Sequence, residues 1–351
     1  MTRVLTPEQR RRRRLVVRSV LGAVVVGALV FGVLPQVADL SSVWTHIGDM
    51  SVMQLSTLSA VAIGSLLAYG LVLMAVMPGL TFAQATVVSQ SSTAVANTMP
   101  AGGALAVGVS YRFYGSWGFS NAAITRNVVV TGIWNVFSKL ALPVIALVLL
   151  VATGGGGNGV VAAAVVGVVV LVLAVALGVG TLSSEHAAHR VGDVVGALVV
   201  RIGRWFRRVC PPNGGDVAVR FRRDTIGLLR QRGLKLTGAI VLSQLSIFVV
   251  LLFSLRAVGV TAGDVGWIEV LAAYAVTRLA STVPITPGGI GLVELGLAGT
   301  LIAMGGAEAP VIAGVLVFRM LSFFVSVPLG LGMFVVWKKM LRWRQPVPAM
   351  A

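Results

Sequence analysis

The run Thr282-Val283-Pro284-Ile285-Thr286-Pro287-Gly288-Gly289 stands inside an apolar stretch, residues 266–304, and divides it into two short pieces. A helix that spans a bilayer needs about 20 apolar residues, so neither piece crosses comfortably. Proline removes a backbone donor and glycine costs conformational entropy, so the run breaks any helix that reaches it. The same device stands earlier, where Asn97-Thr98-Met99-Pro100-Ala101-Gly102-Gly103 parts residues 81–116. Each site predicts a helix–break–helix hairpin that enters and leaves a membrane on one side.

The rest of the chain supplies that membrane. Hydrophobic residues make up 57% of the 351 positions and charged ones only 11%, which is far too little polar surface for a soluble domain of this size. Apolar runs at 15–37, 52–76, 121–151, 160–182, 236–258 and 310–336 give about six spans, with Pro143 predicting a kink in the third. The expected fold class is therefore an all-α polytopic membrane protein with about six transmembrane helices and two re-entrant hairpins. Residues 15–340 read as one membrane domain between a basic N-terminus, 1–14, and a tail, 341–351. The first apolar run follows arginines and lacks a small-residue cleavage site, so it reads as a retained signal anchor.

A net charge of +17 first suggests nucleic acid, but the positions of the charges argue otherwise. Lysines and arginines gather before the first span, in a basic loop at 183–235 and after Val336, each time beside an apolar span. That is the positive-inside pattern, with attraction to anionic headgroups, and no aromatic-interleaved basic domain is present. It predicts a multi-pass plasma-membrane protein with both termini cytoplasmic and a surface helix at 195–208 in the basic loop. The expected outer segments carry Asp39, Asp49, Asp264 and Glu308, with Arg256 the nearby cation. Cys210 is the single cysteine, so no internal disulfide forms, and His46, His186 and His189 make no ligand cluster.

Span, hairpin and span recur at 52–151 and 236–336, and on this topology the two copies enter the bilayer from opposite sides. Inverted repeats with broken helices are a transporter arrangement, with the substrate site at the repeat interface. The breaks at Pro100, Gly102 and Gly103 and at Pro287, Gly288 and Gly289 each leave a half-helix N-terminus within the membrane, where its amides favour an anion. The alternative is that the hairpins only pack.

Charges inside the spans are the second signal. Lys139 lies mid-span with Asn135 one turn earlier, Arg278 and Glu294 lie on the two arms of the second hairpin, and Arg319 lies in the last span. Arg112 and Arg126 bracket the inner mouth of the first hairpin. Such charges cost about 2.5–3.5 kcal/mol each on insertion scales, so they face protein or a cavity. Glu294 can neutralise Arg278 or Arg319, but one deep carboxylate cannot serve three deep cations, and the excess calls for an anionic ligand. No nucleophile set, metal motif or phosphate-binding loop appears, so no enzyme activity, cofactor or metal is expected.

Thr286-Pro287-Gly288-Gly289-Ile290-Gly291-Leu292-Val293-Glu294, then Val317-Phe318-Arg319 and Pro328-Leu329-Gly330, resembles the flippase-like family named for the transmembrane region of lysylphosphatidylglycerol synthase. Asn97 to Gly103, Tyr111-Arg112 and Gly132-Ile133-Trp134-Asn135 with Lys139 look like the matching first half. The resemblance covers roughly residues 15–340. It implies a lipid-translocating fold, with aminoacylated phosphatidylglycerol as cargo in the best understood relatives and envelope glycosyltransferases as companions of others. The soluble aminoacyltransferase domain of the bifunctional relatives is not found in this sequence, so synthase activity is not expected.

The leading expectation is a flippase-like transporter of a phospholipid or lipid-linked headgroup. Lys139, Arg278 and Arg319 would attract the phosphate, and Asn97, Asn135, Thr286 and Glu294 would orient polar headgroup atoms. Two alternatives stand beside it. One is a proton-coupled carrier of a small solute through Glu294. The other is a non-transporting membrane partner of an envelope glycosyltransferase or lipid-modifying enzyme, docking through 183–235.

Overall fold

The computed structural model describes residues 45–99, 102–154, 158–187, 189–190, 193, 214–282 and 287–340. The expected first span, the 195–208 surface helix, Pro100, Pro284 and Thr286 lie outside these, as does the side chain of Pro287. The described residues are helical, with no strand among them.

Ten helices are used below. The first four are α1 (Val52–Val76), α2 (Phe82–Thr98), α3 (Gly102–Ser116) and α4 (Asn121–Ala152). Then come α5 (Asn158–Ser183), α6 (Gly214–Ala257), α7 (Trp267–Ala280), α8 (Leu292–Ala303), α9 (Glu308–Arg319) and α10 (Ser326–Lys339). A 3₁₀ turn, Pro287–Gly289, precedes α8, and a π-helical turn, Met320–Phe324, joins α9 to α10.

Local chemistry sets several of these limits. Ser51 and Gln54 form a reciprocal cap on α1, as Thr81 and Gln84 do on α2, so the amides freed at each helix start are satisfied. Ser120 accepts from the Ala123 amide at the start of α4, and Pro143 sits inside that helix without ending it. Pro328 lies in the first turn of α10, directly after the π turn, where its missing amide is best tolerated. On the α6–α7 turn, Arg256 donates to the carbonyls of Val260, Thr261 and Val265. Thr261 holds the Asp264 carboxyl below the usual carboxylate range by donating hydrogen bonds from its amide and hydroxyl.

Among the described residues, five helices are long and apolar enough to cross a membrane: Val52–Val76, Asn121–Ala152, Val160–Gly180, Phe221–Ala257 and Glu308–Lys339. Among the described residues only 6% of the Val160–Gly180 window is buried, against 56% for Glu308–Lys339. Helix α6 begins at Gly214, so residues 214–235, read from the sequence as basic loop, continue the fifth span as helix. Arg222 ties that extension to the end of α5 through Glu185 and the Ser183 carbonyl.

The helix pairs α2/α3 and α7/α8 are the two expected hairpins. At 17, 15, 14 and 12 residues the arms reach about 18–25 Å at 1.5 Å per residue, short of a bilayer core of about 30 Å.

The contacts between helices obey a two-fold exchange in which α1 matches α6, α2 matches α7, α3 matches α8, and α4 matches the α9–α10 segment. Helix α2 packs on α10 as α7 packs on α4, α1 packs on α4 as α6 packs on α9, and each hairpin's arms pack together. On the axis, α1 and α6 pack on each other and run antiparallel. Gln54 near the start of α1 donates to the Ala257 carbonyl at the end of α6, while Val76 clusters with Leu236 and Ile240. Equivalent helices that run antiparallel make the repeat an inverted one.

The first arm of each hairpin therefore lies on the last span of the other repeat. Ser91 donates to the Gly330 carbonyl and Asn97 to Ser326 Oγ, both at 3.2 Å. A Cβ at Gly330 would meet the Gln90 carbonyl, whereas one at Gly332 has nothing within 4 Å. Gly330→Ala should cost about 1–3 kcal/mol by overpacking, while Gly332→Ala should be neutral or slightly stabilising. Thermal unfolding of the two variants in detergent checks the difference.

Candidate functional site

The second break is built from glycines in the left-handed region, a carboxylate and a guanidinium. Gly288 has φ 63° and Gly291 φ 82°, conformations that side-chain-bearing residues rarely adopt. A Cβ on Gly288 would also strike the Phe323 ring. Glu294, in the first turn of α8, turns back to accept from the Gly291 amide at 2.8 Å. Its other oxygen accepts from Arg319 Nε at 2.6 Å, and Arg319 Nη2 donates to the Gly288 carbonyl at 3.2 Å. The two side chains are 8% and 12% exposed, and the Arg319 guanidinium sits 4.6 Å from the Phe323 ring.

Backbone groups freed by the break are thus taken up by side chains, as a low-dielectric setting demands. An anion expected at the half-helix N-terminus has a resident equivalent, the Glu294 carboxylate. Of the two neutralising pairs open in the sequence, the chain forms Glu294–Arg319.

The first break reaches the same place. Asn97, near the end of α2, donates to Ser326 Oγ, and Ser326 donates to the Phe323 carbonyl on the π turn. Helix α2 also packs on the Pro287–Gly289 turn. Residues flanking the two breaks, Asn97 and Gly288, therefore meet one π turn, a feature enriched at functional positions. Gly102 admits the chain because a Cβ there would strike the Ala96 carbonyl, while Gly103 has open space around it.

A second polar cluster lies between the repeats. From the first repeat come Tyr69 on α1 and Asn135, Ser138 and Lys139 on α4. From the second come Gln244 on α6 and Tyr274 and Arg278 on α7. Gln244 joins the halves: its Nε2 donates to Ser138 Oγ at 3.1 Å, and its Oε1 accepts from Arg278 Nη2 at 3.2 Å and Tyr274 at 3.3 Å. Asn135 donates to the Tyr69 hydroxyl at 3.0 Å.

Arg278 lies within electrostatic reach of both Lys139 and Tyr69, and 5.8 Å from the Tyr274 ring. Its Nε is buried without a hydrogen-bond partner. Among the described residues Lys139 has neither a hydrogen bond nor a carboxylate.

The expected site residues therefore divide. Glu294, Arg319, Gly288, Gly289, Gly102 and Asn97 belong to the breaks, and Asn135, Lys139 and Arg278 to the inter-repeat cluster. Arg112 joins neither: it is exposed, with its guanidinium 5.7 Å from the Trp337 ring. Sequence reasoning missed Tyr69, Ser138, Gln244, Tyr274, Phe323 and Ser326. A glutamine inside an apolar span was the available signal for Gln244; Ser and Tyr are too common in membrane helices to stand out.

A model of the family described as the lysylphosphatidylglycerol synthase TM region matches residues 19–330, nearly the whole chain. No curated protein matches it. The chain belongs to that family and is a multi-pass membrane protein.

Removing one partner of a buried ion pair strands the other, so Glu294→Gln or Arg319→Met should each destabilise by about 3–5 kcal/mol. The double variant should lose clearly less than the sum, because no charge is left alone. A double-mutant cycle read by unfolding in detergent gives the coupling, and additive losses would show that the pair does not hold the break.

Proposed function

We propose that this member of the family is a flippase-like transporter that moves a phospholipid or lipid-linked headgroup between leaflets of the cell membrane. The observation that carries the reading is the pair Lys139 and Arg278, which share the repeat interface without a carboxylate among the described residues. A cation in an apolar interior is stable only when compensated, and neither neutral Gln244 nor the phenols of Tyr69 and Tyr274 supply negative charge. A headgroup phosphate does. It accepts from Lys139 Nζ and from the Arg278 guanidinium, while Asn135 and Ser138, on the same helix as Lys139, are neutral polar groups nearby. The acyl chains stay in lipid.

The inverted repeat gives the reading a mechanism. Rocking one repeat against the other opens a midplane site to alternate sides. Lys139 and Arg278 come from different repeats, so a phosphate bridging them senses that motion. The basic segments mark the cytoplasmic side in this reading, which puts both termini inside. Proton coupling through Glu294 has less support, since both carboxylate oxygens are engaged, and the paired acid and base of a hydrolytic site are missing among the described residues.

Protein reconstituted into liposomes should exchange a fluorescent phospholipid between leaflets. Each charge-assisted hydrogen bond is worth about 1.5–3 kcal/mol, so Lys139→Gln and Arg278→Gln should each slow exchange about tenfold or more. The Arg112→Gln variant should exchange at the wild-type rate. Unchanged rates in both deep variants would remove the two cations from the transport path.

A further inference from the structure

The charge count at the inter-repeat cluster says more than that the cargo is an anion. From residue 51 to residue 184 the chain has not one Asp or Glu, so the first repeat holds no carboxylate for Lys139. In the second repeat Glu294 is bound to Arg319 and the Gly291 amide. Glu269 lies at the opposite end of α7, in its first turn while Arg278 is in its last, about 13 Å away along the helix axis. Gln244 has already spent its acceptor on Arg278 and Tyr274. Lys139 and Arg278 therefore add two like charges that no described side chain balances.

We infer, building on the proposed lipid transport, that the cargo presents a doubly charged phosphate, either a phosphate monoester or a diphosphate, to Lys139 and Arg278. A phosphodiester supplies one negative charge and leaves one cation uncompensated. A monoester carries about −1.5 to −2 at neutral pH, and a diphosphate at least as much. An oxygen on each side of such a group meets one cation from each repeat. A headgroup bearing an ammonium brings a third positive charge to this place, and like-charge juxtaposition is among the strongest discriminators between partners. The lysyl ester in the family's name has such an ammonium, so the aminoacylated cargo implied by resemblance is disfavoured by these residues.

The test uses full-length protein in phosphatidylcholine vesicles at pH 7.5 with three labelled probes: phosphatidic acid, phosphatidylglycerol and lysyl-phosphatidylglycerol. Expected rates fall in that order, with phosphatidic acid about tenfold ahead of phosphatidylglycerol. Lys139→Gln should bring that ratio close to one. Equal rates for the three probes, or lysyl-phosphatidylglycerol the fastest, overturn the inference and leave lipid transport standing.

A second measurement separates lipid from free phosphate. Pyrophosphate should raise the unfolding temperature in detergent, with the shift lost in Lys139→Gln. A Lys139-dependent shift with no lipid exchanged at all supports the doubly charged ligand and overturns lipid as its source. Neither shift nor exchange overturns both.

Discussion

A helix broken among apolar neighbours leaves amides and carbonyls in need of partners, and the way those groups are satisfied ties the breaks to the rest of the fold. Arg319 and Glu294 do this at the second hairpin. One carboxylate oxygen takes the Gly291 amide, the other takes Arg319, and Arg319 reaches the Gly288 carbonyl. The two charges cancel each other while each serves the backbone. Arg319 comes from the last span, so the tip of the hairpin is fixed to the α9–α10 segment.

That attachment carries the geometry onward. The π turn brings Phe323 against Gly288 and places Ser326 where Asn97 of the first hairpin can reach it. Two breaks separated by almost two hundred residues of sequence are thus supported from one irregular turn. Exchange of hairpin arms between repeats does the same on a larger scale, since α2 rests on α10 and α7 on α4. Neither repeat can complete its own packing alone, so movement of one is felt by the hairpin of the other.

How much of this was readable in the sequence depended on the scale of the signal. Spans and breaks were legible because length, proline and glycine act locally: helix α1 starts and stops where the apolar run does, and both Pro-Gly breaks separate packed helices. The inverted relation was expected from the positions of the basic segments, and in the structure it rests on the antiparallel packing of α1 and α6. Which cation Glu294 would take was not legible, because Arg278 and Arg319 both lie in membrane segments and only the tertiary arrangement chooses. Gln244 was missed for a related reason: its importance lies in touching both repeats. The start of α6 at Gly214 was hidden by composition, as Arg220, Arg222, Arg223, Arg230 and Arg232 suggest loop while remaining good helix formers.

The choice made by Glu294 decides what the other cations can do. Had it paired with Arg278, Lys139 alone would be left without a carboxylate in the inter-repeat cluster, and Arg319 would stand uncompensated beside the break. With Arg319 matched instead, Glu294 serves the hairpin, and Lys139 and Arg278 keep no carboxylate partner among the described residues. On the proposed function, a ligand bound between Lys139 and Arg278 would add its stabilisation without loosening the backbone, because the groups that hold the break are Glu294 and Arg319. Lys139 and Arg278 come from different repeats, so a ligand that preferred one arrangement of the repeats would shift the balance between them.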